Sequence, residues 1–227
     1  MKHIQGDVFV KEKNSIKNMV KLSFGEEVAN VITHGIMALI FLFLIPFSAV
    51  YTYIKGDILL SVGTSIFVIC IFLMFLVSTL YHSMAYDTKH KVVFRILDHV
   101  FIYFAIAGSY TPIALSLIGG WKAVAILIIQ WTCVLFGILY KAVAKKEYPK
   151  FTLSLYMVMG WVAVLFMPTL IRNSDPIFLS LIVLGGILYS VGAYFYTKKK
   201  KWAHMIWHIF INAASIAHYI AIVFFLV

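Results

Sequence analysis

Residues 58–81 read ILLSVGTSIFVICIFLMFLVSTLY, an apolar run without one charged side chain. A helix of this length rises about 36 Å, whereas the hydrocarbon core of a bilayer is about 30 Å thick. The run therefore predicts a membrane-spanning helix. Ser78 lies in its last turn and His82 follows it directly, so the predicted helix ends in a polar pair.

Blocks of similar length and character recur along the whole chain. Hydrophobic residues make up 63% of the 227 positions, charged residues only 12%, and the mean hydropathy is +0.95, so a water-soluble fold is excluded. The predicted spans are residues 28–51, 58–81, 92–115, 121–143, 151–171, 177–196 and 202–227. We predict an all-α, polytopic membrane protein with a short basic tail, residues 1–27, and one seven-helix transmembrane domain, residues 28–227.

The basic residues predict the orientation of these spans. Sixteen of the 19 lie in the tail, in alternate connections or in the span ends that adjoin them, and only Lys55, Lys122 and Arg172 fall on the opposite side. The positive-inside rule then places the N-terminus in the cytoplasm and the C-terminus outside. The lysine clusters are explained by topology and by attraction to anionic membrane lipids, so nucleic acid is not expected as a partner.

A few polar residues fall inside the apolar spans, where ionisable groups are costly and commonly functional. Ser78 and His82 end the second span, Asp98 lies two turns into the third, and His204 and His208 open the seventh. Because successive spans run in opposite directions, all five are predicted at the cytoplasmic end, within a layer about 10 Å thick.

The spacing of these residues points to a metal site. Residues four apart share one helix face, as Ser78 shares with His82 and His204 with His208. Three imidazoles with a fourth position left for water form an open zinc site. We predict zinc bound by the three histidines, with Asp98 and Ser78 holding or activating the water. The alternative is that the histidines are hydrogen-bonded packing residues.

Further polar residues open the first span. Glu26, Glu27, Asn30 and His34 lie at the same predicted end and either hydrogen-bond to the metal ligands or tie helices together. In the third span, Gly108, Ser109, Tyr110, Thr111 and Pro112 predict a kink.

The chain resembles the hemolysin III family, the bacterial branch of the progestin and adipoQ receptor superfamily, from residue 26 onward. The similar segments are EEVANVITH at 26–34, STLYH at 78–82, Asp98, GSYTP at 108–112 and HMIWH at 204–208. The resemblance implies seven spans, a cytoplasmic N-terminus and zinc bound by His82, His204 and His208. In the adiponectin-receptor relatives the residue matching Asp98 contacts zinc through water, and ceramidase-like activity is attributed to them. The tail is too short to match theirs, so no hormone is expected as a partner.

The sequence is compatible with three main functions. The first is a zinc-dependent, ceramidase-like hydrolase of the bacterial plasma membrane, which cleaves an amide or ester of a membrane lipid. The second is a non-catalytic membrane sensor or homeostasis protein, in which zinc joins the second, third and seventh spans. The third is pore formation, which the name of the family suggests. A proton-coupled transporter ranks last, because the polar residues cluster at one end and no polar path continues outward.

Overall fold

The computed structural model describes residues 21–86, 88–143 and 148–226 of the chain. Most of the predicted N-terminal tail, and Val227 at the end of the seventh predicted span, lie outside the described residues. Within those ranges, all regular secondary structure is helical.

Seven helical units in the described ranges are long and apolar enough to cross a membrane, which confirms the predicted fold class. The helices are α1 (Phe24–Lys55), α2 (Ile58–Ser83), α3 (Lys89–Pro112) with a π-helix (Ile113–Ile118), α4 (Gly120–Val143), α5 (Pro149–Trp161), a 3-10 helix (Val162–Phe166), α6 (Met167–Asn173), α7 (Pro176–Tyr196) and α8 (Ala203–Phe225). The fifth span comprises α5, the 3-10 helix and α6. The cytoplasmic location of the N-terminus stays a prediction.

Neighbouring helices pack closely in three pairs: α1 with α2, α2 with α3, and α7 with α8. The first and last spans, α1 and α8, also touch and so close one side of the bundle. The spans that are most buried inside the protein are α2, α3 and α8. These same helices carry Ser78, His82, Asp98, His204 and His208, so the protein keeps these polar residues away from lipid.

Small residues set the distance between neighbouring helices. A Cβ added to Gly108 of α3 would lie 2.8 Å from the Cβ of Cys70 on α2, so only glycine fits there. Gly185 of α7 likewise leaves room for the ring of His218 on α8, whose Nε2 lies 3.2 Å from the carbonyl oxygen of Ile182. Such close backbone approach replaces the hydrophobic effect as a source of helix association in lipid.

The irregular part of the third span lies further along than the sequence predicted. Residues 108–112 remain α-helical, and the π-helix begins after Pro112. Gly108 is held against α2, and the Thr111 hydroxyl donates to the carbonyl oxygen of Ala107 at 3.0 Å. The departure from α-helical hydrogen bonding therefore begins directly after the predicted segment, in residues 113–118.

The fifth span is broken, although its sequence predicted a continuous helix over residues 151–171. The 3-10 helix interrupts it just before Pro168, which lies in the first turn of α6. The Tyr110 hydroxyl donates to the carbonyl oxygen of Gly160 at 2.7 Å and accepts from the N–H of Ala163 at 2.8 Å. Gln130 donates from Nε2 to the carbonyl oxygen of Met159 at 3.0 Å. Side chains of α3 and α4 thus satisfy backbone groups that the break exposes.

Tyr110→Phe is expected to lower the free energy of unfolding by about 1–3 kcal/mol, because it leaves the carbonyl of Gly160 and the N–H of Ala163 without a partner at the break in the span. Thermal unfolding in detergent micelles measures the effect. Tyr53→Phe is the matched control, since Tyr53 is exposed. Equal stability of the two variants would show that the Tyr110 hydroxyl does not support the broken span.

Candidate metal centre

Three histidines meet at the end of the bundle where α1, α3 and α8 begin and α2 ends. His82, His204 and His208 each offer one ligand atom, and these atoms all lie within 4.8 Å of one another. The Nε2 atoms of His82 and His204 are 3.2 Å apart. Two nitrogens that bind one tetrahedral zinc at about 2.0–2.1 Å lie about 3.4 Å from each other. The group could therefore hold a metal ion.

The orientation of His82 is fixed by a carboxylate. Its Nδ1 lies 2.6 Å from Oε2 of Glu27 and donates to it, which leaves the lone pair on Nε2, the atom that faces His204. Asn30 places its side-chain nitrogen 3.4 Å from the same Nδ1. A carboxylate that holds the remote nitrogen of an imidazole is the usual support of a histidine metal ligand.

The orientation of His208 is fixed by a hydroxyl. Thr33 donates from Oγ1 to the carbonyl oxygen of Asn30 at 3.0 Å, so this oxygen can only accept from Nδ1 of His208, which lies 3.3 Å away. The lone pair of His208 is then on Nε2, which is buried and has no hydrogen-bond partner. A buried acceptor without a partner costs about 1–3 kcal/mol, and a metal ion would supply the missing partner.

Neither Glu26 nor His34, two of the residues predicted around the site, hydrogen-bonds to a ligand histidine. Glu26 contacts no ligand histidine: its Oε2 accepts from the Ser23 hydroxyl at 2.7 Å, and its Oε1 accepts from the N–H of Trp202 at 2.8 Å. Trp202 has a φ of 65° and directly precedes α8, so Glu26 anchors the turn that introduces His204. His34 stacks on the ring of His208, with 3.5 Å between ring centroids.

Asp98 and Ser78 are buried beside each other at the rim of an apolar cavity. The Ser78 hydroxyl makes no hydrogen bond of ordinary geometry, and neither nitrogen of His34, which also faces the cavity, has a partner. Asp98 is not one of the three residues that could hold the metal. The predicted polar residues therefore lie close together but form two groups. The three histidines of the first group could hold a metal ion, whereas Ser78, Asp98 and His34 line the cavity.

The cavity has a volume of about 180 Å³ and extends away from Ser78 and Asp98 into the bundle. Its walls come from α2, α3, the fifth span, α7 and α8, and they are almost entirely apolar. Ile118 and Met167 line it at the far end. A space of this shape fits an alkyl chain better than a polar metabolite.

Glu27 and Lys91 form an ion pair that the sequence did not reveal. The position of Lys91 before the third span predicts a charge that sets topology, but Lys91 is 2% exposed and its Nζ donates to Oε1 of Glu27 at 2.6 Å. The sequence places Glu27 among the residues that could support the metal ligands, but nothing in it indicates that Lys91 reaches Glu27 from another helix.

Comparisons with known proteins agree with this architecture. The family model described as Haemolysin-III related matches residues 22–219. The chain is 39% identical over 207 residues to the Hemolysin-3 homolog of Bacillus subtilis (strain 168), covering 89% of this chain and 95% of that protein. It is 35% identical over 201 residues to Hemolysin-3 of Bacillus cereus, with 88% and 91% coverage. The human Monocyte to macrophage differentiation factor is 30% identical over 155 residues, with 66% and 64% coverage. The chain therefore belongs to the hemolysin III family of multi-pass membrane proteins.

Proposed function

We propose that this protein is a zinc-dependent hydrolase that cleaves an amide or ester bond of a membrane lipid in the bacterial plasma membrane. The observation that carries the proposal is the position of Ser78 and Asp98. Both are buried near the three-histidine group and both line the apolar cavity, so a polar reactive centre borders a space that fits an alkyl chain.

The donor set supports zinc as the metal. Three imidazole nitrogens without a thiolate are typical of catalytic zinc, and the resemblance to the adiponectin-receptor relatives implies the same metal. The unpartnered Nε2 of His208 and the carboxylate-held His82 are both oriented to bind a cation. Three protein ligands leave a tetrahedral position open for water or substrate.

The residues around the site supply the remaining steps. When bound, zinc provides the Lewis acidity that polarises the scissile carbonyl and makes water more acidic. The Asp98 carboxylate accepts a proton from the attacking water and returns it to the nitrogen or oxygen of the leaving group. The Ser78 hydroxyl donates a hydrogen bond to the carbonyl oxygen as negative charge develops on it. One water is consumed, and the products are a carboxylic acid and an amine or alcohol.

A lipid can reach the cavity sideways, between the fifth span and α7. Trp161 and Val164 of the fifth span and Val183 of α7 line the cavity and are 39–49% exposed, so these side chains are not packed in the protein core. The indole N–H of Trp161 donates to Ser190 of α7 at 3.2 Å, one of few contacts between these helices. Separation of the fifth span from α7 at this weakly held contact would admit an acyl chain from the bilayer.

A second candidate function is a structural metal in a non-catalytic membrane protein. It is favoured by the sparse contact between α2 and α8, the two helices that supply the histidines, since a metal would join them. Chelation separates the two candidates: a structural metal predicts that the bundle unfolds when zinc is removed, whereas a catalytic metal predicts that turnover stops while most helical circular dichroism and most thermal stability remain.

The direct test is hydrolysis by purified, zinc-loaded protein. Ceramide in mixed micelles probes amide cleavage, and a diacyl phospholipid probes ester cleavage. We expect fatty acid release by the wild type and none by His82→Ala. If the zinc-loaded wild type released fatty acid from neither lipid, the hydrolase proposal would be rejected.

The cavity makes a separate prediction. Gly186 of α7 lines the cavity, and a Cβ added there meets no atom within 4 Å. Gly186→Phe is expected to fill space needed by the acyl chain and to lower kcat/KM by about tenfold or more, which corresponds to about 1.4 kcal/mol, without loss of zinc. Ile187→Phe is the matched control, because Ile187 is exposed on the lipid side. Equal activity of both variants would contradict the placement of the substrate chain.

A further inference from the structure

We infer that Lys91 is a positioning residue for the metal centre, because it holds Glu27 in the orientation that fixes the His82 imidazole. This inference rests on the metal-binding part of the proposed function and not on hydrolysis. Lys91 makes its hydrogen bonds to Glu27 and Met84 and not to a ligand histidine, so its effect is transmitted through one carboxylate.

The carboxylate of Glu27 bridges two partners with different oxygens. Oε1 accepts from Nζ of Lys91 and Oε2 accepts from Nδ1 of His82, both at 2.6 Å. These are short, charge-assisted hydrogen bonds. Rotation of the carboxylate would break both, so the position of the ammonium group determines where the acceptor for His82 lies.

The surroundings of Lys91 hold its ammonium group in place. Nζ also donates to the carbonyl oxygen of Met84 at 3.1 Å and lies 5.0 Å from the centre of the Tyr81 ring. An ammonium group has three N–H donors, and the Glu27 carboxylate, the Met84 carbonyl and the face of the Tyr81 ring give each of them a partner. Tyr81 and Met84 flank His82 in sequence, so Lys91 of α3 is fixed on the end of α2 that carries the ligand.

The arrangement connects three helices at the metal centre. Glu27 comes from the first turn of α1, Lys91 from the first turn of α3, and His82 from the last turn of α2. Burial of the Lys91 ammonium group beside the partly buried Glu27 carboxylate is costly unless each charge is compensated. A lysine that acted only in membrane topology would gain nothing from burial, and Lys89, two residues earlier, is exposed.

Zinc affinity tests the inference. Purified full-length protein in detergent is titrated with Zn²⁺ against a fluorescent chelator for the wild type, Glu27→Gln, Lys91→Met and the double variant. Glu27→Gln is expected to weaken zinc binding by about 10–100-fold, the usual effect of losing a partner of a metal-bound histidine. Lys91→Met is expected to weaken it at least about fivefold, and Lys91→Arg to restore most of the loss because charge is kept.

The double variant gives the readout that a merely structural role would not produce. If Lys91 acts through Glu27, Lys91→Met costs no further affinity once Glu27→Gln is present, so the two effects are strongly non-additive. Lys89→Met is the matched control and is expected to bind zinc like the wild type. Visible spectra of the Co²⁺-substituted proteins are expected to change with Lys91→Met and not with Lys89→Met, since these bands report ligand geometry.

Two results would overturn the inference: unchanged zinc affinity in Lys91→Met, or additive losses in the double variant. A wild type that binds no Zn²⁺ would overturn both this inference and the proposed function. A wild type that binds Zn²⁺ and shows the expected non-additivity, yet releases no fatty acid from lipid, would reject the hydrolase alone and support the role of Lys91.

Discussion

Asp98→Asn is expected to lower the rate of lipid hydrolysis by about 10²–10⁴-fold while bound zinc is retained. The amide has the size of the carboxylate but cannot accept a proton from water. Asp98 is not in the three-histidine group, so its replacement leaves the nitrogen ligands in place. Fatty acid release and zinc content, measured on the same preparation, check both halves of the expectation.

Asp175→Asn is the matched control for this variant. Asp175 is exposed and caps the start of α7, a role that asparagine also fills, so the control is expected to keep full activity. Ser78→Ala is expected to lower the rate less than Asp98→Asn, because water can replace one hydrogen-bond donor. Wild-type activity in Asp98→Asn would exclude Asp98 as the base, and loss of zinc in that variant would indicate that it is a ligand instead.

His208→Ala is expected to weaken zinc binding by more than about 100-fold, beyond the effect of losing an outer hydrogen-bond partner. The variant removes the buried Nε2 that has no other partner, and the two remaining histidines cannot complete a three-nitrogen site. Competition with a chelator of known affinity measures the change.

The control for His208→Ala is His34→Phe. The His34 ring stacks on His208 and its nitrogens have no partner, so phenylalanine preserves the stacking and removes only the nitrogen atoms. His34→Phe is expected to retain zinc. If it lost zinc as completely as His208→Ala, the metal would be bound by a different set of histidines.

The sequence predicted the meeting of the three histidines because helical spacing and span direction are local properties. His204 and His208 share a face whatever surrounds them, and His82 ends an apolar run whose length is set by the bilayer. Two such constraints place the residues at one depth. They do not determine which side chains of α1 and α3 point at that place, since this depends on how the helices pack.

The roles of Glu27 and Lys91 are the clearest result of that packing. A lysine near the start of a span is commonly a topological signal, and nothing in its sequence neighbours indicates burial. Only the contact of α3 with α1 shows that it is a hydrogen-bond donor to Glu27. The break in the fifth span has the same origin: Pro168 is a local signal, but Tyr110 and Gln130, which satisfy the broken backbone, come from distant parts of the chain.

The most direct test of the account is metal analysis of the purified wild type combined with X-ray absorption spectroscopy. A zinc centre built from the three histidines predicts about one zinc per chain, with three imidazole nitrogens at about 2.0–2.1 Å and a fourth light-atom ligand. Absence of stoichiometric zinc after loading, or a coordination shell that contains sulfur, would contradict a metal centre built from His82, His204 and His208.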